Sequence, residues 1–350
     1  MSLTVIYPHI DGGCPRLDEV LAHALTDIPH RIITDMALPS DLRGQRLLFA
    51  IPVGKFGINP AYQQLLLTLR SQPDLLAGCT AGLIVDGEVE LYTKSTATEL
   101  TLAANLAGCA FVGRPLVEGT GSLANLRVQA DNLGCTPEQA YRTAALKLVQ
   151  RVRSYSPVRK TRPEVLVLHA SSHHISNTLD LWDSVAQRLA GRCTITEIGL
   201  RNGTVFDCSG CPYTMCLHFG EQGGCFYGSV MQDEVYPAVR RADAIVMVCP
   251  NYNDAISANL TAFVNRLTAL FRQTRFYDKA LFAIVVSGYS GGDIVTRQLI
   301  GGLNMNKSFH LPGRFALIET ANAPGEARLL PGVETRLDAF TQTILHTLCE

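Results

Sequence analysis

The chain has 350 residues, of which 47% are hydrophobic and 17% charged, with a formal net charge of -1. This composition excludes a disordered chain, and the near-neutral charge argues against a nucleic-acid partner. No window is apolar for long enough to span a membrane, and the start of the chain lacks a signal-peptide pattern, so we expect a folded cytoplasmic protein with no membrane partner. The length favours two domains over one.

The first half alternates apolar runs with helical patterns. A buried strand is predicted at 46–52, followed by a short loop and an amphipathic helix that ends at Arg70. The elements predicted after it are strands at 80–85 and 115–118 and helices at 99–107 and 137–152. Short runs of Val, Ile and Leu are typical of strands covered on both faces, and helices between such strands indicate a parallel sheet with right-handed crossovers.

The second half repeats this order. A strand at 243–249 leads into a helix that ends at Arg272. The elements predicted after it are strands at 281–286 and 314–319 and helices at 294–305 and 333–348. Four successive units in matching order predict a duplication, with two doubly wound α/β sheets in tandem. Prolines and basic residues between the halves are typical of a linker, so we predict domains at 1–155 and 164–350 joined by a linker at 156–163.

A polar turn follows the first strand of the second half. The strand at 165–169 runs into 170–178, which reads A-S-S-H-H-I-S-N-T, and a helical pattern then continues through Leu189. Hydroxyl and amide groups at a helix start, together with free backbone N–H groups, favour a phosphate. The turn lacks the glycines of the dinucleotide fingerprint and of the P-loop. The alternative is that Ser176 or Asn177 only caps the helix.

Two further loops follow strands of the same predicted sheet, at 250–257 and 287–293. Ligands of doubly wound sheets bind outside the carboxyl ends of the strands, where these loops lie. Tyr252 and Tyr289 could pack on a flat ring, while asparagines and glycine-rich backbone could bind its polar edge. The three loops together predict a flavin site.

Residues 165–272 resemble the NAD(P)H-dependent FMN reductase and iron-sulfur flavoprotein families of flavodoxin-like proteins. Their phosphate loop has the form G-S-P-R-x-x-(G/S)-N-T, for which this chain has Ala170 in place of glycine and His173 in place of arginine. The P-N-Y of 250–252 matches their P-x-Y loop, and the N-R-L of 265–267 stands where they have D-R-L. The resemblance implies two flavodoxin-like domains, the second of which binds FMN.

The resemblance also implies the residues of the site. Those expected around the FMN phosphate are Ser171, His173, Ser176, Asn177 and Thr178. Those expected around the isoalloxazine ring are Pro250, Asn251, Tyr252, Asn253, Ser287, Gly288 and Tyr289.

Four of the eleven cysteines, Cys208, Cys211, Cys216 and Cys225, crowd into one segment with two, four and eight residues between them. Four thiolates on a glycine-rich loop can hold a [4Fe-4S] cluster, and iron-sulfur flavoproteins have a similar motif with tighter spacing. Cysteines without a metal, a structural zinc ion, and a redox-active pair at Cys208 and Cys211 are the alternatives.

The turn after the first strand of the first half, at 7–16, lacks the Ser/Asn/Thr run and carries Asp11, which would repel a phosphate. We therefore expect a degenerate domain that binds no FMN of its own. One hypothesis is that its loops 52–60 and 86–98 cover part of the flavin; the other is a scaffold packed elsewhere. A duplicated fold favours a pseudo-dimer within a monomer, or a homodimer.

The resemblance implies an enzyme that takes hydride from NAD(P)H through FMN and reduces a small electron acceptor such as a quinone, a nitro compound or an enone. The flavin carries the chemistry, so no catalytic side chain is predicted. Two alternatives remain: an electron carrier that serves a protein partner through flavin and cluster, and a non-catalytic flavin-binding protein.

Overall fold

The computed structural model describes residues 2–171 and 176–350. The chain divides into two compact units, Met1–Ser156 and Pro157–Glu350. Each unit holds a five-stranded parallel sheet in which the strands, numbered within the unit, have the order 2-1-3-4-5. This is the flavodoxin-like order of doubly wound sheets. The predicted fold, two α/β doubly wound parallel sheets in tandem, is confirmed.

The first unit alternates strands and helices along the chain. Its strands are β1 (Leu3–Ile6), β2 (His30–Ile33), β3 (Arg46–Val53), β4 (Thr80–Gly87) and β5 (Ala110–Gly119). Its helices are α1 (Pro15–Ala24), α2 (Pro60–Ser71), α3 (Thr93–Leu106), α4 (Arg127–Leu133) and α5 (Pro137–Ser154).

The second unit repeats the pattern with one more helix. Its strands are β6 (Glu164–His169), β7 (Thr194–Gly199), β8 (Ala244–Pro250), β9 (Ala280–Ser287) and β10 (Ala316–Thr320). Its helices are α6 (Asn177–Leu189), α7 (Tyr213–Glu221), α8 (Tyr236–Arg241), α9 (Ala258–Gln273), α10 (Gly292–Leu299) and α11 (Val333–Leu348). A π-helical turn, Ile300–Met305, continues α10.

The central strands are buried along almost their whole length, as their apolar sequences predict. Seven of the eight residues of β3 are buried, and all eight of β9. In the second unit, α6 and α11 pack on one face of the sheet, where Trp182 is fully buried. Because parallel strands end at the same edge, the loops after β6, β8, β9 and β10 lie together there.

Helix α3 begins at Thr93, six residues before the predicted start at 99, so the predicted loop 86–98 is half helical. Its first turns are rich in threonine and serine, which compete with the helix backbone for hydrogen bonds and so weaken the helical pattern. Here Thr98 Oγ1 donates to the Lys94 carbonyl oxygen at 3.0 Å, and Thr93 Oγ1 donates to Glu118 Oε2 of β5 at 2.9 Å. Tertiary packing therefore overrides a weak local signal.

The segment predicted as a linker is hydrogen-bonded to the second unit. The Lys160 N–H donates to the Leu348 carbonyl oxygen over 2.8 Å, and Lys160 Nζ lies 2.6 Å from Asp243 Oδ1. None of the helices in the described part of the chain combines the length and apolar character that a membrane span requires.

A buried histidine makes the second unit sensitive to acid. His310 is 4% exposed, and burial lowers its pKa to about 4. In the unfolded chain a histidine titrates near pH ~6.5, so the unfolded state binds more protons between these values. The contribution of neutral His310 to the free energy of unfolding is therefore complete above the pKa of the unfolded state. It falls as pH drops toward the pKa of the folded state, by up to about 3 kcal/mol.

Chemical denaturation at pH 7 and at pH 4.5 measures this loss. We expect His310→Leu to reduce the loss, whereas His346→Asn, which changes an exposed histidine of α11, should leave it unchanged. Equal pH dependence in the wild type and His310→Leu would assign the effect to other groups.

Candidate functional site

A cavity of about 620 Å³ opens at the carboxyl edge of the second sheet. This volume lies within the range of ordinary small-molecule sites. The lining residues are Ala170, Ser171, Ser176, Asn177, Thr178, Pro250, Asn251, Tyr252, Asn253, Asp254, Val286, Gly288, Tyr289, Ser290, Ala321 and Asn322. We call this cavity the crevice.

The crevice collects residues from all three loops that the sequence predicts. Ser287 lies just beneath the lining: it is buried, and its Oγ accepts a hydrogen bond of 3.2 Å from Asn251 Nδ2. His173 lies outside the described residues. Every other predicted cofactor-binding residue lines the crevice.

The turn before α6 presents hydroxyl groups and a helix start. Ser176 is the N-cap, with its Oγ 3.4 Å from the Leu179 N–H and 2.8 Å from Thr178 Oγ1. Ser171 is 8% exposed, and its buried Oγ has no hydrogen-bond partner among the described residues. A buried hydroxyl without a partner costs free energy unless a ligand or water bonds it. The turn therefore offers donors to an anion.

The loop after β8 is a tight turn built on two residues with left-handed backbone. Asn253 and Asp254 have φ of 52° and 59°, a conformation that these two residue types tolerate best after glycine. The N–H and carbonyl groups of Tyr252 and Ala255 pair with each other, both at 3.1 Å. From α10, Gln298 Nε2 donates to the Asp254 carbonyl oxygen at 3.0 Å. The loop is therefore held in one conformation.

Asn251 joins the loops after β8 and β9. Besides Ser287, its Nδ2 contacts Asp254 Oδ1 at 3.2 Å and the Ser290 carbonyl oxygen at 2.9 Å. Its buried Oδ1 has no partner among the described residues. This side chain both positions the loops and leaves an acceptor that a ligand can use.

Two tyrosines stand at the rim of the crevice. Tyr252 is 54% exposed and Tyr289 is 81% exposed. Exposed aromatic rings beside a polar cavity offer flat apolar faces on which a planar ligand can stack.

The loop after β10 also lines the crevice, through Ala321 and Asn322, and was not predicted from the sequence. Its signal was present, because an asparagine, a proline and a glycine follow the last strand at 322–325, as in a turn at a sheet edge. Asp254 and Ser290 were missed as well, although they adjoin predicted residues.

The four cysteines predicted as cluster ligands lie on a segment that is partly helical. Helix α7 separates Cys211 from Cys225 and carries Cys216, where the sequence indicated a loop. Cys208 is exposed and the other three are half-buried. In the described part of the chain, no group of three or more His, Cys, Asp or Glu side chains is arranged to hold a metal ion. The described residues therefore do not support the [4Fe-4S] and zinc interpretations.

A buried arginine of α9 holds both ends of this segment. Arg266, which is 2% exposed, belongs to the N-R-L sequence that carries the resemblance. Its guanidinium donates to the carbonyl oxygens of Phe206 and Gly228, at 3.3 and 2.8 Å, and to Ser229 Oγ at 2.9 Å. This position of the motif therefore anchors the cysteine segment and does not reach the crevice.

The first unit has a cavity of about 480 Å³ at the corresponding edge of its sheet. Asp11, expected to face it, is exposed and is not among the lining residues; Asp86 and Glu88 supply its acidic charge. Cys14 also lines it, and burial, followed by the Asp86 carboxylate, raises the pKa of this thiol to about 12. Arg16 also lines this cavity and pairs with Asp86 at 2.8 Å, so its charged lining residues are one cation and two carboxylates. A net negative lining beside a neutral thiol is an unfavourable setting for a phosphate.

The crevice of the second unit, by contrast, fits FMN. A helix start with a buried hydroxyl that no described residue bonds suits the phosphate. The rim tyrosines, and an Asn251 acceptor that no described residue uses, suit a flat ring with polar edges. With its strand order, this site defines the second unit as a flavodoxin-like domain.

The family model described as NADPH-dependent FMN reductase matches residues 163–323. This match confirms, for the second unit, the family recognised in the sequence, and it identifies the unit as that of an FMN-dependent NAD(P)H oxidoreductase. The chain matches no curated protein.

Solved structures resemble the chain only distantly. An NAD(P)H:quinone oxidoreductase from Methanothermobacter marburgensis is 16% identical, with a TM-score of 0.37 over 52% of this chain and 94% of its own. RosB with a bound 8-demethyl-8-formylriboflavin-5'-phosphate intermediate is 12% identical, with a TM-score of 0.39 over 53% and 81%. The rubredoxin oxygen:oxidoreductase from Desulfovibrio gigas is 15% identical, with a TM-score of 0.34 over 84% and 55%. At such scores these likenesses carry no argument.

Proposed function

We propose that the second unit binds FMN in the crevice and uses NAD(P)H to reduce a small electron acceptor. The observation that carries this proposal is the meeting, at one sheet edge, of a phosphate-type helix start with two exposed tyrosines. Bound FMN would supply the hydride and electron transfer. The first unit binds no FMN of its own.

The chain's own residues bind the FMN phosphate and orient the isoalloxazine ring. The start of α6, with Ser171 and Ser176, holds the phosphate through N–H and hydroxyl groups. The described lining residues include no lysine or arginine, so the helix dipole and these donors offset the phosphate charge. Asn251 holds the two ring-binding loops together through its bonds to Ser287 and Ser290.

The open rim favours a small acceptor. Since Tyr252 and Tyr289 are exposed, a planar molecule can reach a flavin that lies against them. Quinones, nitro compounds and enones are planar acceptors of this size, and we propose one of these classes as the substrate.

Removing the Ser171 hydroxyl tests the phosphate site. We expect Ser171→Ala to raise the Kd for FMN about tenfold, because a buried hydrogen bond to a charged group contributes about 1.5 kcal/mol or more. The Kd is measured by flavin fluorescence titration. Thr343→Ala, which removes a hydroxyl of α11 that donates to the Ala339 carbonyl oxygen at 3.0 Å and does not line the crevice, is the control and should leave the Kd unchanged.

The activity itself is tested by mixing the FMN-loaded chain with NADH or NADPH without oxygen and then adding a quinone, a nitro compound or an enone. Bleaching of the flavin by the nucleotide and rapid recovery with one of these acceptors would support the proposal. A flavin that the nucleotides leave oxidised would contradict it and favour a carrier or a binding protein.

A further inference from the structure

The side chain of Asn177 is bonded to the loop that follows β10. Its Nδ2 donates to the Ala323 carbonyl oxygen at 2.9 Å, and its Oδ1 accepts from the Ala327 N–H at 3.3 Å. The amide oxygen and one of the two amide hydrogens are thus used for holding the segment 321–327, which we call the brace loop. A residue expected to serve the phosphate is engaged elsewhere.

A carboxylate fixes the brace loop from within. Glu326 Oε2 accepts hydrogen bonds of 2.7 Å from the N–H groups of Asn322 and Ala323. The bond from Ala323, followed by that from Asn322, lowers the pKa of Glu326, so the carboxylate is ionised at neutral pH. The brace loop therefore has a defined shape at the edge of the crevice.

The brace loop reaches the rim tyrosine. Asn322 Nδ2 donates to Tyr289 Oη at 2.9 Å. Gly288 leaves room for this approach, since a Cβ at that position would lie 2.9 Å from Asn322 Oδ1. The ring of Tyr289 is 81% exposed, so a hydrogen bond at its far end strongly restricts where the ring can lie.

We propose that the brace loop couples the two ends of the FMN site, with Asn177 and Asn322 as positioning residues. Asn177, at the start of the phosphate helix, stabilises the loop, and Asn322 on the loop holds Tyr289 beside the isoalloxazine ring. The inference rests on the proposed binding of FMN in the crevice. It assigns Asn177 to the binding of the ring, in place of the expected phosphate contact.

Comparison of FMN with riboflavin tests this assignment, because the two ligands share the ring and differ in the phosphate. We expect Asn177→Ala to raise the Kd of both ligands by the same factor, about fivefold, as for the loss of one or two neutral hydrogen bonds. The matched control is Ser171→Ala, which should raise the Kd of FMN and leave that of riboflavin unchanged. Both are measured by fluorescence titration of the full chain.

A second set of variants covers the case in which Asn177→Ala disturbs folding. Asn322 is exposed, so Asn322→Ala should fold and should weaken both ligands equally. Tyr289→Phe should add no further loss in the Asn322→Ala background, since the two changes remove the same hydrogen bond.

An FMN-selective loss in Asn177→Ala would overturn the inference, and so would unchanged Kd values for both ligands in Asn177→Ala and Asn322→Ala. A wild-type chain that binds neither ligand would instead overturn the proposed function on which the inference rests.

Discussion

Replacing Gly291 with alanine is expected to raise the Kd for FMN at least tenfold. Gly291 has φ of +84° and precedes α10, and a Cβ there would collide with Asp254 Oδ1 and lie 2.8 Å from Asn251 Nδ2. Both atoms are the ends of side chains of the loop after β8, so these side chains must turn away. This breaks the bonds of Asn251 Nδ2 to Ser287 Oγ and to the Ser290 carbonyl oxygen, which join the loops after β8 and β9. The left-handed backbone adds about 1 kcal/mol of strain, and the loss of the loop's alignment weakens ring binding further.

Gly191→Ala is the matched control for this substitution. Gly191 has φ of +77°, close to that of Gly291, but a Cβ there meets no described atom within 4 Å. It follows α6 at the end away from the crevice. Thermal unfolding should show the cost of the left-handed backbone in both variants and a larger loss in Gly291→Ala, whereas only Gly291→Ala should lose FMN affinity in a titration. Equal Kd values would show that the loop after β8 does not hold the flavin.

Replacing Arg16 with methionine is expected to lower the unfolding free energy of the first unit by about 3 kcal/mol, the usual cost of removing one partner from a buried ion pair. The Arg16 guanidinium donates to both carboxylate oxygens of Asp86, at 2.8 and 2.9 Å, and Asp86 is 4% exposed. It also donates to the carbonyl oxygens of Gly87 and Gly121, at 2.9 and 3.1 Å. Without it, a buried carboxylate loses its cation.

Arg31→Met provides the comparison, because it removes an exposed ion pair. The side chain of Arg31 is 41% exposed and that of its partner Asp41 is 62% exposed. That change should cost less than about 1 kcal/mol. Denaturant titration of each variant measures the difference, and the Kd for FMN should stay at its wild-type value in both. Equal destabilisation by the two substitutions would contradict the structural role assigned to Arg16.

The sequence predicted the architecture well where the hydrophobic pattern was long and regular. Helix α11 has the predicted bounds, Val333–Leu348, and strands such as β8 and β9 lie within one residue of theirs. Parallel strands buried on both faces consist of apolar runs, and the order of such runs sets the topology. The three loops of the crevice followed from the same rule, because strand ends locate ligand sites in doubly wound sheets.

The sequence did not predict features that depend on contacts between distant segments. Helix α7 was missed because a glycine-rich, cysteine-rich segment is typical of a loop. Arg266 of α9, far along the chain, holds the two ends of that segment at Phe206 and Gly228. Asn177 was expected at the phosphate because its bonds to Ala323 and Ala327, which follow it by 146 and 150 positions, leave no local pattern in the sequence. In the first unit, Asp86 and Glu88, distant in sequence from the predicted Asp11, supply the acidic charge of the cavity, where Asp86 is paired with Arg16.

The stoichiometry of FMN binding decides whether the second unit alone holds the cofactor. Purified chain would be saturated with FMN, separated from free ligand, and assayed for flavin by absorbance and for protein by amino-acid analysis. We predict one FMN per chain, bound by the second unit, with binding weakened by Gly291→Ala but not by Arg16→Met. A chain that retains no FMN would contradict the assignment of the crevice, and two FMN per chain would contradict the degenerate role of the first unit.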